Sequence, residues 1–88
     1  MTFSVVLTPR AARSIRKLER PVGTRIQKSL AELGQNPETG EQLRPSKFWK
    51  IRVGDYRAIY EIDRVQRRII MLYLGHRKNV YDDFSKLL

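Results

Sequence analysis

Cysteine is absent from the 88 residues. No disulfide, thiolate metal site or thiol nucleophile can form. Histidine occurs once, at His76, so a Ser-His-acid triad finds no support. The acids Asp55, Glu61, Asp63, Asp82 and Asp83 fall into no metal-ligand pattern. That argues against metal-dependent phosphodiester cleavage, which draws on several ligands, and no cofactor is expected. No apolar run approaches the roughly 18 residues that a membrane span requires. The opening MTFSVVLTPRAARS has too short an apolar stretch, with no cationic region before it, for a signal peptide. The expectation is a soluble, cytoplasmic protein. Acidic residues are scarce as well: nine Asp and Glu against eighteen Lys and Arg, a formal charge of +9.

What is present fits one small domain spanning 1–88, with 41% hydrophobic residues, enough to fold and too many for a disordered tail. A field of this sign attracts polyanions, with nucleic acid the first candidate partner and an acidic protein the second. FSVVLT (Phe3 to Thr8) reads as a strand with Phe3, Val5 and Leu7 on one face. Thr8-Pro9 reads as an N-cap followed by proline in the first turn, and Ala11, Ile15 and Leu18 recur at helical spacing. Pro21 opens a second helix whose stripe is Val22, Ile26, Leu30 and Leu33, with Gly34 as its stop. GQNPETGEQ reads as loop. A hairpin, a third apolar run (Arg67 to His76) and a short C-terminal helix from near Asn79 complete the chain. The expected fold is α+β: an antiparallel-dominated four-stranded sheet packed on an N-terminal helical hairpin.

FWKIRVGDYRAIYEID holds the unusual feature. With Gly54-Asp55 as a two-residue turn, Val53 faces Tyr56, Arg52 faces Arg57, Ile51 faces Ala58, Lys50 faces Ile59 and Trp49 faces Tyr60. Alternation then gathers Trp49, Ile51, Val53, Tyr56, Ala58, Tyr60 and Ile62 on the core face. Lys50, Arg52, Arg57, Ile59 and Glu61 share the other. Opposed like charges weaken a strand pair by roughly a few tenths to 1 kcal/mol. One account is a solvated face partly neutralised by Glu61 or Asp63. The other is that these cations converge on an anion. On the third strand the more uniform aliphatics, Ile70, Leu72 and Leu74, are expected in the core. Ile69, Met71, Tyr73, Gly75 and Arg77 are then expected to join the cations, with Tyr81 able to close over them.

Cations, a phenol and no metal site suit RNA, whose 2′-OH is a built-in nucleophile. Arg and Lys can stabilise the phosphorane charge. Lys50 is a candidate base, since Arg stays protonated; Tyr81 is the rival.

At LRPSKFWKIRVGDYRAIYEID and LGHRKNVYDDF the chain resembles the RelE branch of the RelE/ParE toxin superfamily, over nearly its whole length. The resemblance implies a microbial-RNase-like fold and the toxin of a type II toxin-antitoxin system. It also implies a ribosome-dependent endoribonuclease that cleaves mRNA in the A site without metal and so inhibits translation. The implied partners are a cognate acidic or amphipathic antitoxin and the ribosome. Lys50 and Arg52 fall on the family's catalytic lysine strand, Arg57 and Arg77 on its phosphate-stabilising arginines, and Tyr81 on its C-terminal tyrosine. Arg44 matches a further basic position, and Lys47, His76 and Lys78 are expected RNA contacts. His76 stands where other members carry lysine, and the segment from Arg77 to Tyr81 is shorter than in some. The alternatives are a ParE-like toxin that inhibits DNA gyrase by binding, and a catalytically silent domain acting through its antitoxin complex.

Overall fold

The computed structural model describes residues 2–76. Strand β1 (Ser4–Leu7) leads into helix α1 (Pro9–Arg16). Thr8 caps that helix: its hydroxyl oxygen accepts from the Ala11 N–H at 3.2 Å, and Pro9 sits in the first turn, where no N–H is needed. The same hydroxyl donates to the Leu72 carbonyl at 3.3 Å, fixing the helix start against the last strand. Helix α2 (Arg20–Gln35) begins one residue before Pro21. A 3-10 turn (Pro37–Thr39) then leads to β2 (Glu41–Gln42), β3 (Phe48–Val53), β4 (Tyr56–Asp63) and β5 (Arg68–His76). The expected C-terminal helix lies outside the described residues.

The sheet has five strands in the order β1-β5-β4-β3-β2, not four. The added strand is β2, two residues of the expected loop, held by pairing Glu41 with Lys50 and Gln42 with Trp49. β1 runs parallel to β5 and the other pairs are antiparallel. The β3–β4 register is the expected one at every position, with Gly54 at φ 60 in the turn. Trp49, Ile51, Val53, Tyr56, Ala58, Tyr60 and Ile62 all belong to the main core, with Ile26, Leu30 and Leu33 of α2 and Ala11 of α1. Phe3, Val5 and Leu7 pack against it from β1.

Two expectations are corrected. Ile69 and Met71, assigned to the cation face, are fully buried in the main core, whereas Ile70 and Leu72 are only half-buried. A β-bulge is the cause: Ile59 pairs with Tyr73 but its neighbour Tyr60 pairs with Met71, leaving Leu72 as the extra residue. The bulge reverses the alternation, so Leu74 lies in the core and Tyr73 beside Ile59, both as expected. Gly34, assigned as the helix stop, lies inside α2. Its role is close approach: its carbonyl accepts from the Phe3 N–H at 2.7 Å, and a Cβ at this position would stand 2.7 Å from the Phe3 oxygen.

Candidate functional site

The face of the sheet away from the main core carries a second, smaller apolar cluster. Ile59 and Tyr73 are buried, with Leu43 and Phe48 packed against them. Around this floor stand the cations. Arg52 and Arg57 are in direct register, Lys50 is opposite Ile59, and Gly75 is opposite Arg57, so β5 puts no side chain between Arg57 and Tyr73's side of the face. Arg52 is exposed and its Nε donates to the Gly54 carbonyl at 3.0 Å, which tethers it at the turn. Lys50 is less exposed and lies 3.7 Å from the Glu41 carboxylate on β2. An apolar floor lowers the local dielectric, so cations there act more strongly on an incoming anion than they would in water.

Lys47 lies over the Phe48 ring at 5.8 Å and pairs with Glu61 at 3.4 Å, so it borders the same face. Arg44 is exposed in the connection between β2 and β3. His76 is placed elsewhere. It pairs in register with Tyr56, a core-face residue, and the two rings meet edge to face at 5.6 Å. It therefore sits on the helix side of the sheet, across from Lys50 and Arg57. Arg77, Lys78 and Tyr81 lie outside the described residues. Among the described residues, no group of three or more His, Cys, Asp or Glu could hold a metal ion.

Two site residues escaped the sequence reading. Arg10 of α1 lies over the Tyr73 ring at 4.8 Å and so brings a helix cation to the β5 side of the face. Glu41 reaches Lys50 only because β2 exists. The first joins segments far apart in sequence, the second depends on the pairing of β2 with β3, and no local pattern signals either.

β2 itself is held by Tyr60. The Tyr60 hydroxyl donates to the Pro37 carbonyl at 2.8 Å and accepts from the Gly40 N–H at 3.2 Å. Burial pushes this phenol up to about 12; the Gly40 N–H opposes the shift and the Glu38 carboxylate adds to it. Because β2 covers only Trp49 and Lys50, β3 has no strand partner on its outer side beyond Lys50 among the described residues. A cavity of about 570 Å³ opens there, with Lys50, Arg52 and Arg57 on one side and Ser29, Glu32 and Thr39 on the other.

The family model for the ParE toxin of type II toxin-antitoxin systems (parDE) matches residues 5–81. The chain belongs to this toxin family. No match emerges among curated proteins. Solved structures similar to the toxin include RelE proteins. The RelBE2 toxin-antitoxin complex of Mycobacterium tuberculosis matches with 26% identity and a TM-score of 0.80, over 88% of this chain and 100% of that one. A doubly substituted E. coli RelE toxin in the free state matches with 22% identity and a TM-score of 0.81, over 100% and 99%. The archaeal RelE-RelB complex of Pyrococcus horikoshii matches with 24% identity and a TM-score of 0.73, over 88% and 97%. The toxin thus carries the ParE family signature on a fold shared with RelE, and no described helix is long and apolar enough to cross a membrane.

Proposed function

We propose that this toxin is a metal-independent endoribonuclease that cleaves mRNA in the ribosomal A site. The observation that carries this reading is the register of Arg52 against Arg57, flanked by Lys50, over the apolar floor of Ile59 and Tyr73. A strand pair selected for folding alone gains nothing from that opposition. A phosphorane with developing negative charge gains preorganised donors from it. The 2′-oxygen attacks the adjacent phosphorus in line, its proton leaves to a base, and the 5′-oxygen departs with a proton from an acid. Arg57 and Arg52 stabilise the equatorial oxygens, joined by Arg77. Lys50 or Tyr81 takes the first proton. Glu41, 3.7 Å from Lys50, is a carboxylate able to receive or relay the same proton. Arg44 and Lys47 bind the flanking backbone.

A second reading has its own support. The matching family model is that of ParE, so inhibition of DNA gyrase by protein binding is the competing activity. In either case the partner is a cognate antitoxin, as in the RelB complexes of the structural relatives. A field of +9 favours an acidic or amphipathic segment that folds on binding.

Purified toxin added to ribosomes programmed with a defined mRNA tests the proposal. Cleavage in the A site, with free RNA cut poorly, is the expected result; intact mRNA together with trapped, gyrase-cleaved DNA would replace it with the ParE reading. Single-turnover pH–rate profiles then separate the bases. Lys50→Ala, Glu41→Gln and Tyr81→Phe each remove one proton acceptor, and the variant that abolishes the titrating limb identifies the group.

A further inference from the structure

Two rings bracket the apolar floor of the cation face, and each has a cation over it. On the β3 side Lys47 lies 5.8 Å from the Phe48 ring, and on the β5 side Arg10 lies 4.8 Å from the Tyr73 ring. The two pairs differ in charge balance. Lys47 is paired with Glu61 at 3.4 Å, whereas Arg10 has no ion pair among the described residues. Folding does not ask for this second cation. Arg10 stands in the first turn of α1, which carries no acid, and the helix dipole disfavours a cation there. An uncharged side chain would cover Tyr73 without that cost. Topology explains how a helix residue reaches this face. β1 ends at Leu7, opposite Met71, so β5 from Leu72 onward has no strand on that side among the described residues. Helix α1 starts in this gap, fixed by the bond from the Thr8 hydroxyl to the Leu72 carbonyl. Ala11 then turns into the main core, while its neighbour Arg10 passes the sheet edge and lies over Tyr73 on the opposite face.

We propose that Arg10 is a further substrate-binding residue: it holds the RNA phosphate next to the scissile one, on the β5 side, with Tyr73 as the platform that fixes its guanidinium. The inference rests on the reading of the cation face as an RNA site. A guanidinium resting over a ring keeps its N–H donors available, and their fork matches two phosphate oxygens. Arg10 is exposed, so those donors face solvent. The row Lys50, Ile59, Tyr73 runs across three neighbouring strands, so Tyr73 stands two strand spacings, about 10 Å, from Lys50. Arg57 is opposite Gly75, which presents no side chain. An RNA strand whose scissile phosphate lies at the hairpin cations therefore crosses β5 over Gly75 and meets Arg10 next. The contact is the same before and during cleavage, so it acts on binding and leaves the chemical step alone.

The test is single-turnover cleavage by the full-length toxin on ribosomes programmed with mRNA that carries one uncharged methylphosphonate linkage, either 5′ or 3′ of the scissile bond. Arg10→Gln keeps a side chain over Tyr73 and removes the charge. On unmodified mRNA it is expected to raise the half-saturating toxin concentration roughly tenfold, the loss of one charge-assisted contact, with the maximal rate unchanged. In the wild type, one of the two neutral linkages is expected to weaken binding by the same factor, and Arg10→Gln is expected to lose nothing further on that RNA. A wild type insensitive to both linkages overturns the contact. So does a penalty that multiplies with Arg10→Gln at both, which leaves Arg10 a structural role only. An independent arm needs no cleavage. In fluorescence anisotropy with a short single-stranded RNA, Arg10→Gln is expected to reduce the salt slope by about 0.7, one phosphate contact. An unchanged slope overturns the contact. A chain that cleaves no mRNA yet shows the reduced slope retains the contact and loses the nuclease reading. Arg10 is exposed, so the variant folds, and its thermal midpoint checks this.

Discussion

Tyr60 does two jobs with one oxygen. It anchors the turn before β2 to the centre of the sheet, and it is itself fully buried. Tyr60→Phe leaves the Gly40 N–H and the Pro37 carbonyl without this partner. The expected loss is about 1–3 kcal/mol in urea unfolding at pH 7. The folded phenol titrates near 12 and the unfolded one near 10.0. Its contribution is therefore complete below pH 10 and is lost as pH rises toward 12, because the unfolded chain releases the proton first. Wild-type stability should fall across that window, with a drop on the order of 2 kcal/mol, and Tyr60→Phe should lack this part of the decline. Arg57 gives the opposite balance. Arg57→Ala should lower single-turnover cleavage by roughly 10²–10³, the effect of losing one transition-state donor. Its thermal midpoint should not fall on account of charge, since the opposed Arg52 is relieved of repulsion.

At the level of elements, the β3–β4 hairpin was readable because everything that sets it is local. Gly54-Asp55 fixes the turn, the turn fixes the register, and alternation then assigns each side chain to a face. β5 was half-readable. Its composition marks a strand, but its phase changes at Leu72, and that change exists only through the staggered pairing with Ile59 and Tyr60. Aliphatic uniformity chose Ile70 and Leu72 for the core, whereas the bulge puts Ile69 and Met71 there. β2 was unreadable: Glu41 and Gln42 have no strand character of their own and become a strand by lying beside Lys50 and Trp49. The candidate site divides the same way. Its hairpin cations were found, and Arg10 and Glu41 were not. Deleting Leu72 should restore simple alternation with Met71 still opposite Tyr60 and Tyr73 still beside Ile59, so the cost, measured in urea, should be confined to the half-buried Leu72 side chain and the carbonyl that the Thr8 hydroxyl meets. In the β4–β5 turn, Arg67 adopts φ 55, a left-handed conformation that costs a residue with a Cβ roughly 1 kcal/mol. Asn tolerates it better. Arg67→Asn should raise the unfolding free energy by a few tenths to about 1 kcal/mol.

For the whole molecule, the surplus of cations governs association. RNA binding should weaken with salt, with a slope of about −0.7 per neutralised phosphate on single strands. Removing Arg52 should lower that slope by about one contact, measured by fluorescence anisotropy across a salt series. The order of strands has a separate consequence. β1 precedes the other described elements, and its only sheet neighbour among the described residues is β5, the last described strand. A nascent chain ending before residue 68 therefore holds a β1 with no strand to pair with and a cation face missing its Tyr73 floor. The sheet closes only once β5 has been synthesised, so the cation face is assembled no earlier than this strand. Chains truncated after residue 67 should give no cooperative thermal transition by circular dichroism. Under the proposed nuclease reading, chain topology thereby withholds the active face until β5 has emerged.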